Sequence, residues 1–488
     1  MQRMKIARYA LILLLLVALA WVMAAKEGSV PAMELWHTEE LEHEFEREMI
    51  DDQVSDFSDY LDLERTLFEE LDKRIFAKTP PGSTRRLNRF SRGSLSDFSS
   101  AQPNWNRSYT DYVDSAKGGV LLLHGMSDSP YSLRTLAQKL RTEGYDVVSP
   151  RLPGHGTIPS ALRQVKWQDM AVVVDLAMAH LADRLQGRPI NIIGYSTGAS
   201  LALNYTLDRL QQELSPPASL VLVSPAIRVH PVSALAGFKD SLSALPGLEE
   251  FAYVSIMDEF DPYKYNSFAT NAAAQVHAVT NHVDRRIKGL AGKPVLDKFP
   301  PVLVHKSVVD ATVTTEAIVD KLLMRLPAER NELVLFDINS NEAIRSTLLI
   351  ANPAPLADRL IQERELPFDL TMIVNSDSDS YETEARSRAP FSEQISNTVP
   401  LDTSWPHRVI SLSHVALSFP PDDPLYGASP SNDSDLIFLG NLAFYGERGL
   451  LRIAPDWLLR MRYNPFYPYF EQRTLDWLGV RTSLETSQ

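Results

Sequence analysis

The sequence predicts an α/β fold, a mostly parallel sheet flanked by helices, and three observations carry that expectation. From residue 119 onward, short apolar runs alternate with stretches of helical periodicity, the pattern of repeated strand–helix–strand crossovers. The runs are continuously apolar rather than alternating, as they are when both faces of a sheet are covered. The third is INIIGYSTGASLALNY, Ile190–Tyr205, which reads as a buried strand, a sharp turn and a good helix. Its Gly194-Tyr195-Ser196-Thr197-Gly198 core has the Gly-x-Ser-x-Gly form of a nucleophile elbow, in the context that motif requires.

Taken in order, the chain begins with Arg3, Lys5 and Arg8 ahead of an uninterrupted apolar run, Tyr9 to Ala25. The run exceeds the core of a signal peptide and sits at the short edge of a spanning helix. Residues 1–25 are therefore expected to be an N-terminal membrane helix, as a signal-anchor. Small residues at Ala18-Leu19-Ala20 and Ala24-Ala25 leave a cleaved signal peptide as the alternative. Positive charge before the run keeps that end in the cytoplasm and sends the remainder across. The expected location is extracytoplasmic, periplasmic in a Gram-negative source.

Residues 26–78 are acidic, and Leu41, Phe45, Met49, Val54, Phe57, Leu61, Phe68 and Leu71 recur at three-to-five-residue steps. That spacing predicts an amphipathic helix, whole or broken once, with an acidic outer face. It would pack on the main body or on a copy of itself, or serve as a partner-binding stalk. Pro80-Pro81-Gly82 ends it, and residues 79–115 read as a linker and the entry to the core. The first part of the core is expected over 116–229. Its strands are Gly119–Leu123, Tyr145–Ser149, Ile190–Ile193 and Leu220–Val223, and its helices Ser132–Glu143, Asp169–Leu185 and Ala199–Glu213.

After Ser224-Pro225 the alternation stops. Residues 230–299 carry an aromatic cluster from Phe251 to Phe268 and no evident strand, so they read as an inserted helical cap. The core resumes over 300–488 with strand Pro301–His305, helix Thr315–Leu326 and strand Glu332–Phe336. An insertion, 338–406, contains a strand at Phe368–Val374 and a polar loop, SDSDSYETEARSRAPFSEQISN. His407–Leu412 reads as the last strand and Glu471–Leu478 as the closing helix. The aromatic run before that helix suits core packing, or contact with a membrane interface.

Composition excludes several classes of function. A formal net charge of −14 disfavours a nucleic-acid partner. The absence of cysteine removes disulfides, thiol nucleophiles and Cys-ligated zinc together. No His-Glu-x-x-His occurs, and His277 and His282 are five apart, off a common helical face. With no phosphate-cradling glycine loop or dinucleotide fingerprint either, neither a metal nor a cofactor is expected.

A serine hydroxyl becomes a useful nucleophile when an imidazole accepts its proton and a carboxylate orients that imidazole. On sheets with this elbow the chain order is Ser, Asp or Glu, then His. Of eleven histidines, His407 and His414 come late enough. His407 opens its expected strand and points from the wrong end, whereas His414 follows it in SLSHVALSF. His414 is the candidate base. Asp310, in the loop after PVLVHKS, is the candidate acid, with Asp337 at the end of the next strand as its rival. Oxyanion donors are expected from the backbone of Thr197, just after the nucleophile, and of Met126, in the early loop His124-Gly125-Met126.

Together, LLLHGMSDSP, RLPGHGT, GYSTG, SVVDATV and SLSHVAL resemble the α/β-hydrolase superfamily. The likeness is to its bacterial esterase, monoacylglycerol-lipase-like and serine-aminopeptidase-like branch, over about 119–231 and 301–420. It implies an α/β-hydrolase fold with Ser196 as nucleophile, Asp310 as acid, His414 as base, and Met126 and Thr197 as oxyanion donors. It further implies a cap over an acyl or leaving-group pocket, and a structural rather than catalytic loop around His155. One feature departs from the pattern, since no histidine follows Glu332–Phe336 until His407. Either Phe368–Val374 and His407–Leu412 extend the sheet, or Glu332–Phe336 belongs to an insertion.

The reading is of a serine hydrolase acting on a small-molecule carboxylic ester, apolar in its acyl part. An aminopeptidase or amidase on the same residues is the alternative within enzymes, and would need an acidic anchor for the substrate amine, with Asp258, Glu259 and Asp261 as candidates. A non-catalytic, membrane-tethered interaction module is the alternative of another class.

Overall fold

The computed structural model describes residues 32–81, 87–228, 249–310, 312–345, 360, 365–431, 437–440 and 460–485. The strands are β1 (Tyr109–Asp111), β2 (Gly118–Leu123), β3 (Tyr145–Ser149), β4 (Ile190–Tyr195), β5 (Leu220–Val223), β6 (Tyr253–Ser255), β7 (Phe268–Ala269), β8 (Val302–Ser307), β9 (Glu332–Phe336), β10 (Asp369–Asn375), β11 (Glu382–Arg388) and β12 (Asn397–Ser404). The longer helices are α1 (Phe57–Arg74), α2 (Arg134–Thr142), α3 (Trp167–Leu185), α4 (Thr197–Gln211), α5 (Thr270–Leu290), α6 (Thr315–Lys321) and α7 (Tyr467–Glu485).

One sheet runs in the order β1-β3-β2-β4-β5-β8-β9-β10-β11-β12. From β3 to β10 every pairing is parallel. The antiparallel strands are at the ends, β1 on one edge and β11 with β12 on the other. Alternate residues of the central strands feed two cores. Leu121, Leu123, Ile192, Leu220 and Leu222 face one layer, built with α1, α3, α4, α5 and α6. Val120, Leu122, Ile193, Tyr195, Val221 and Val223 face the other, built with α2 and α7. Both faces are covered, which is why these strands read as unbroken apolar runs.

The acidic segment departs from the helix expected over 26–78. Leu35–Thr38 is a single turn and Arg47–Met49 a 3-10 turn; continuous helix begins only at Phe57. It starts there because the Asp56 carboxylate accepts the Ser58 and Asp59 N–H groups, a strong N-terminal cap. Upstream, the Glu70 carboxylate accepts the backbone N–H groups of Glu42 and His43, which holds that stretch off the helical path. The inward face of α1 bears Phe57, Tyr60, Leu67 and Leu71, all buried. Tyr60 donates to the Arg151 carbonyl at 2.5 Å. The Arg151 guanidinium, 1% exposed, is held by Glu44 at 3.0 Å and Glu64 at 3.3 Å. Glu64 also accepts from the Ser108 N–H and hydroxyl. The stretch expected as a linker is likewise packed, with Arg89, Phe90 and Phe98 buried.

In the cap, residues 230–248 lie outside the described residues. The rest contains α5 and, against expectation, a two-stranded hairpin of β6 and β7. Polar closure of the intervening loop makes that hairpin. The Glu259 carboxylate accepts the Asn266 and Ser267 N–H groups, while Asn266 Oδ1 accepts those of Phe260 and Asp261.

The other correction is at the far edge. His407–Leu412 is not a strand, and the polar loop before it is one: β11, with β12 completing a hairpin on β10. Residues 369–404 therefore extend the sheet. The expected helix Thr315–Leu326 breaks into α6 and a 3-10 turn at Leu323–Arg325, and the closing helix is longer than Glu471–Leu478. The aromatic run before it enters the core, where Phe466, Tyr467 and Phe470 are buried. Among the described residues no helix is long and apolar enough to cross a membrane; Tyr9–Ala25 lies outside them.

Removing one acid from the buried Arg151 clamp leaves its charge incompletely paired. Glu64→Ala is expected to lower the unfolding free energy by about 3 kcal/mol, measured by urea titration. A loss within the error of the titration would show that the Glu64–Arg151 pair adds nothing to the docking of α1.

Candidate active site

Ser196 sits between β4 and α4, at the carboxyl end of a central strand. Its backbone is at φ 53°, ψ −114°, a conformation that non-glycine residues rarely adopt and hold only when their surroundings enforce it. The Ser196 N–H donates to the Val223 carbonyl at 2.9 Å and its carbonyl accepts from Ala226 N–H at 3.1 Å. The flanking glycines are a packing requirement. A Cβ on Gly194 would lie 2.6 Å from the Ala199 backbone, and one on Gly198 only 2.2 Å from the Leu123 carbonyl oxygen.

Three side chains from distant parts of the chain meet here. His414 Nε2 lies 3.0 Å from Ser196 Oγ, and His414 Nδ1 lies 2.7 Å from Asp310 Oδ2. Asp310 Oδ1 accepts the N–H groups of Thr312 and Val313 at 2.8 and 3.3 Å, so the turn after β8 fixes the carboxylate. The rivals are elsewhere. Asp337 donates its N–H to the Ile373 carbonyl at the end of β9, and the His407 ring lies against Tyr381, 4.2 Å between centroids.

His414 is carried in by a segment that crosses the carboxyl ends of the strands. Ser307 Oγ donates to the Leu412 carbonyl at 2.8 Å. Asn339 binds the same segment twice, its N–H to Ile410 O at 2.8 Å and its side-chain amide to Val409 O at 3.0 Å.

Sequence reasoning missed Lys306. Its ammonium is fully buried on β8 and contacts Asp310 Oδ2, the same oxygen that meets the His414 ring. The readable signal was a lysine shortly after the apolar run Val302-Leu303-Val304 of a buried strand, where a charge demands a partner. Burial alone would push the Asp310 carboxyl up. The adjoining His414 ring and Lys306 ammonium outweigh burial and hold it well below the usual carboxylate range.

Met126 and Thr197 both line the cavity that contains Ser196 and His414. Gly125 lets the early loop come close, since a Cβ there would lie 3.2 Å from Ser196 Cβ. His124 braces this loop: its Nδ1 donates to the Gly125 carbonyl at 2.9 Å and its Nε2 accepts the Leu152 N–H at 3.0 Å. Burial first, then the neighbouring His155, drives its pKa well down, so it is neutral. His155 is similar. Burial lowers it to about 4, and its ring bonds to the Pro153 carbonyl rather than to the Ser196 group.

The cavity measures about 310 Å³. Phe268, Ala273 and Val276 from the cap and Val313 from the loop after Asp310 form its apolar wall. Asp128, Lys264 and Arg460 form the polar side, with the Lys264 ammonium 2.8 Å from Asp128 Oδ1. Of the acids considered as amine anchors, Glu259 and Asp261 are buried and turned into loop closure. Asp261 accepts from the Tyr263 and Lys264 N–H groups and from the Tyr426 hydroxyl.

Residues 120–337 match the alpha/beta hydrolase family. Together with the sheet order and the strand–Ser196–helix turn, that match gives the chain an α/β-hydrolase fold. It is similar to the thermostable monoacylglycerol lipase of Bacillus sp. strain H-257, 29% identical over 152 residues, which are 29% of this chain and 58% of that protein. It is similar also to the magnesium-chelatase 30 kDa subunit of Rhodobacter capsulatus, 36% identical over 89 residues, 18% of this chain and 30% of that one. The matches thus span less than two thirds of either relative. Among solved structures, monoglyceride lipase from Saccharomyces cerevisiae is 16% identical at a TM-score of 0.35, covering 47% of this chain and 82% of that one. Monoacylglycerol lipase from Paleococcus ferrophilus is 16% identical at 0.36, covering 47% and 89%.

A carboxyl whose pKa is depressed by folding contributes stability that is present above its unfolded value of 3.8 and is lost as the pH falls through the folded value. The stability difference between wild type and Asp310→Asn should therefore be largest above about pH 5 and narrow steadily in more acid solution. Urea titrations of both proteins from pH 6 to about pH 2 measure it. A difference that stays constant would show that the Asp310 carboxylate is not held ionised by its neighbours.

Proposed function

We propose that the protein is a serine hydrolase that cleaves carboxylic esters through an acyl-enzyme. The observation that carries this reading is the continuous hydrogen-bonded chain Ser196–His414–Asp310, at 3.0 and 2.7 Å, opening on a cavity beside a strained serine. His414 Nε2 takes the Ser196 hydroxyl proton as Oγ attacks the acyl carbon. The carboxylate of Asp310 orients the ring and stabilises its positive charge. Backbone N–H groups of Met126 and Thr197 hold the oxyanion. The imidazolium then passes its proton to the leaving alcohol, and water repeats the sequence on the acyl-enzyme.

An apolar acyl chain suits the wall formed by Phe268, Val276 and Val313. The aminopeptidase reading loses two of its three candidate anchors, because Glu259 and Asp261 are committed to backbone N–H groups. The apolar run Tyr9–Ala25, behind Arg3, Lys5 and Arg8, supports a membrane-anchored protein whose body lies on the extracytoplasmic side. Retention in the membrane pellet after alkaline carbonate washing tests the anchoring.

A fluorophosphonate probe should label wild type, and Ser196→Ala should lose both labelling and about 10⁴-fold or more of ester turnover while remaining folded. Folded wild type that resists the probe would instead favour a non-catalytic module. Aryl esters run beside aminoacyl anilides separate the enzymatic readings, and faster turnover of the anilides would overturn the esterase assignment. Lys306→Met removes a cation next to the pair that takes up the proton. The acid limb of its kcat/KM profile should consequently move about one unit to higher pH; an unmoved limb would leave Lys306 a purely structural residue.

A further inference from the structure

The polar side of the cavity has a charge opposite to that of the protein. Arg460 and Lys264 line it together with Ser196 and His414. They also line a smaller recess of about 50 Å³ that continues from it, whose walls include Arg462, Asp261 and Tyr426. The Asp128 carboxylate is taken up by Lys264 at 2.8 Å, and the Asp261 carboxylate by two N–H groups and the Tyr426 hydroxyl. In the cavity itself two cations, Lys264 and Arg460, stand against one carboxylate, Asp128, which is already paired. Arg460 is exposed to the cavity, and no described acceptor lies within hydrogen-bonding or ion-pair distance of it. A positive wall beside the reactive serine, on a chain of net charge −14, is not a by-product of a generally basic surface.

The geometry points to a subsite for an anionic group: an ester that carries a carboxylate or phosphate within reach of Arg460 while its hydrocarbon part lies against Phe268 and Val276. The inference rests on the ester hydrolase reading and gives it a substrate class. Guanidinium suits both anions, since its planar donors bind two oxygens at once. Because Arg460 and Ser196 line one cavity of about 310 Å³, the anion must lie a few bonds from the scissile carbonyl. The same wall repels the protonated amine of an aminoacyl substrate.

Two matched pairs of substrates test the subsite and tell its forms apart. In the first, an aryl butyrate is compared with the aryl monoester of glutarate, which places a carboxylate on the acyl side. In the second, a monoacylglycerol is compared with the monoacylglycerol phosphate of the same chain, which places a phosphate on the alcohol side. At low ionic strength, wild type should prefer the charged member of at least one pair by about tenfold in kcat/KM. Arg460→Glu should lower that preference at least tenfold, Arg460→Lys should keep most of it, and added salt should weaken it. Wild type that prefers the neutral member of both pairs overturns the subsite, as does a preference that Arg460→Glu leaves intact. Labelling of Ser196 by a fluorophosphonate is read on the same preparations. A labelled protein without charge preference overturns the subsite alone, whereas a folded protein that is not labelled overturns the ester hydrolase reading and the subsite with it.

Discussion

A carboxylate with no exposed surface governs the arrangement of the site. Burying such a charge costs several kcal/mol unless donors surround it, and Asp310 collects them from three sources. Its own turn supplies the Thr312 and Val313 N–H groups. The strand before it supplies the Lys306 ammonium. The fourth contact is His414, 104 residues further on. The C-terminal part of the chain must therefore return to the centre of the sheet, and the fold of residues 369–413 is the means of that return.

The return is unusual in its route. After β10 the chain goes outward through β11 and β12 before residues 407–413 cross back over the strand ends. A segment without ladder partners needs other acceptors and donors for its backbone. Asn339 and Ser307, at the ends of β9 and β8, provide them. This explains both what was legible and what was not. His414 could be found from chain order alone, because only two histidines come late enough. Its supporting strand could not. HRVISL has strand-like apolar alternation but its backbone is held by isolated bonds, two of them from side chains, whereas NTVPLDTS forms a strand at an exposed edge where periodic hydrophobicity is not required. The central parallel strands were legible because burial on both faces writes itself into composition; an exposed edge strand leaves no such mark.

Charges that act inside the protein were the least readable feature. Spacing alone assigned the acids of residues 26–78 to an outer face, yet Glu44 and Glu64 enclose Arg151, and Glu70 holds the backbone at Glu42 and His43. Periodicity reports which residues share a face of one element. It cannot report a partner 87 or 107 residues away. Lys306 and Asp310 repeat the lesson at the site: a lysine in a buried strand is anomalous, and only the folded structure identifies its partner.

The cap links its own folding to the polarity of the cavity. The turn from Asp258 to Ser267 closes by directing Glu259 and Asp261 toward backbone N–H groups. That keeps Glu259 out of the cavity lining, engages the Asp261 carboxylate at the adjoining recess, and leaves Lys264, on the same turn, facing the cavity. These effects have one cause and the same sign, since each makes the wall more positive. At longer range the net charge of −14 works the other way, repelling an anionic substrate until it is close. Such repulsion between exposed charges is screened beyond about 8 Å at physiological ionic strength, whereas contacts inside the cavity are screened less. Moderate salt should then speed the approach of an anionic ester while weakening its hold once bound. The positive wall would serve selection at contact, rather than capture from solution.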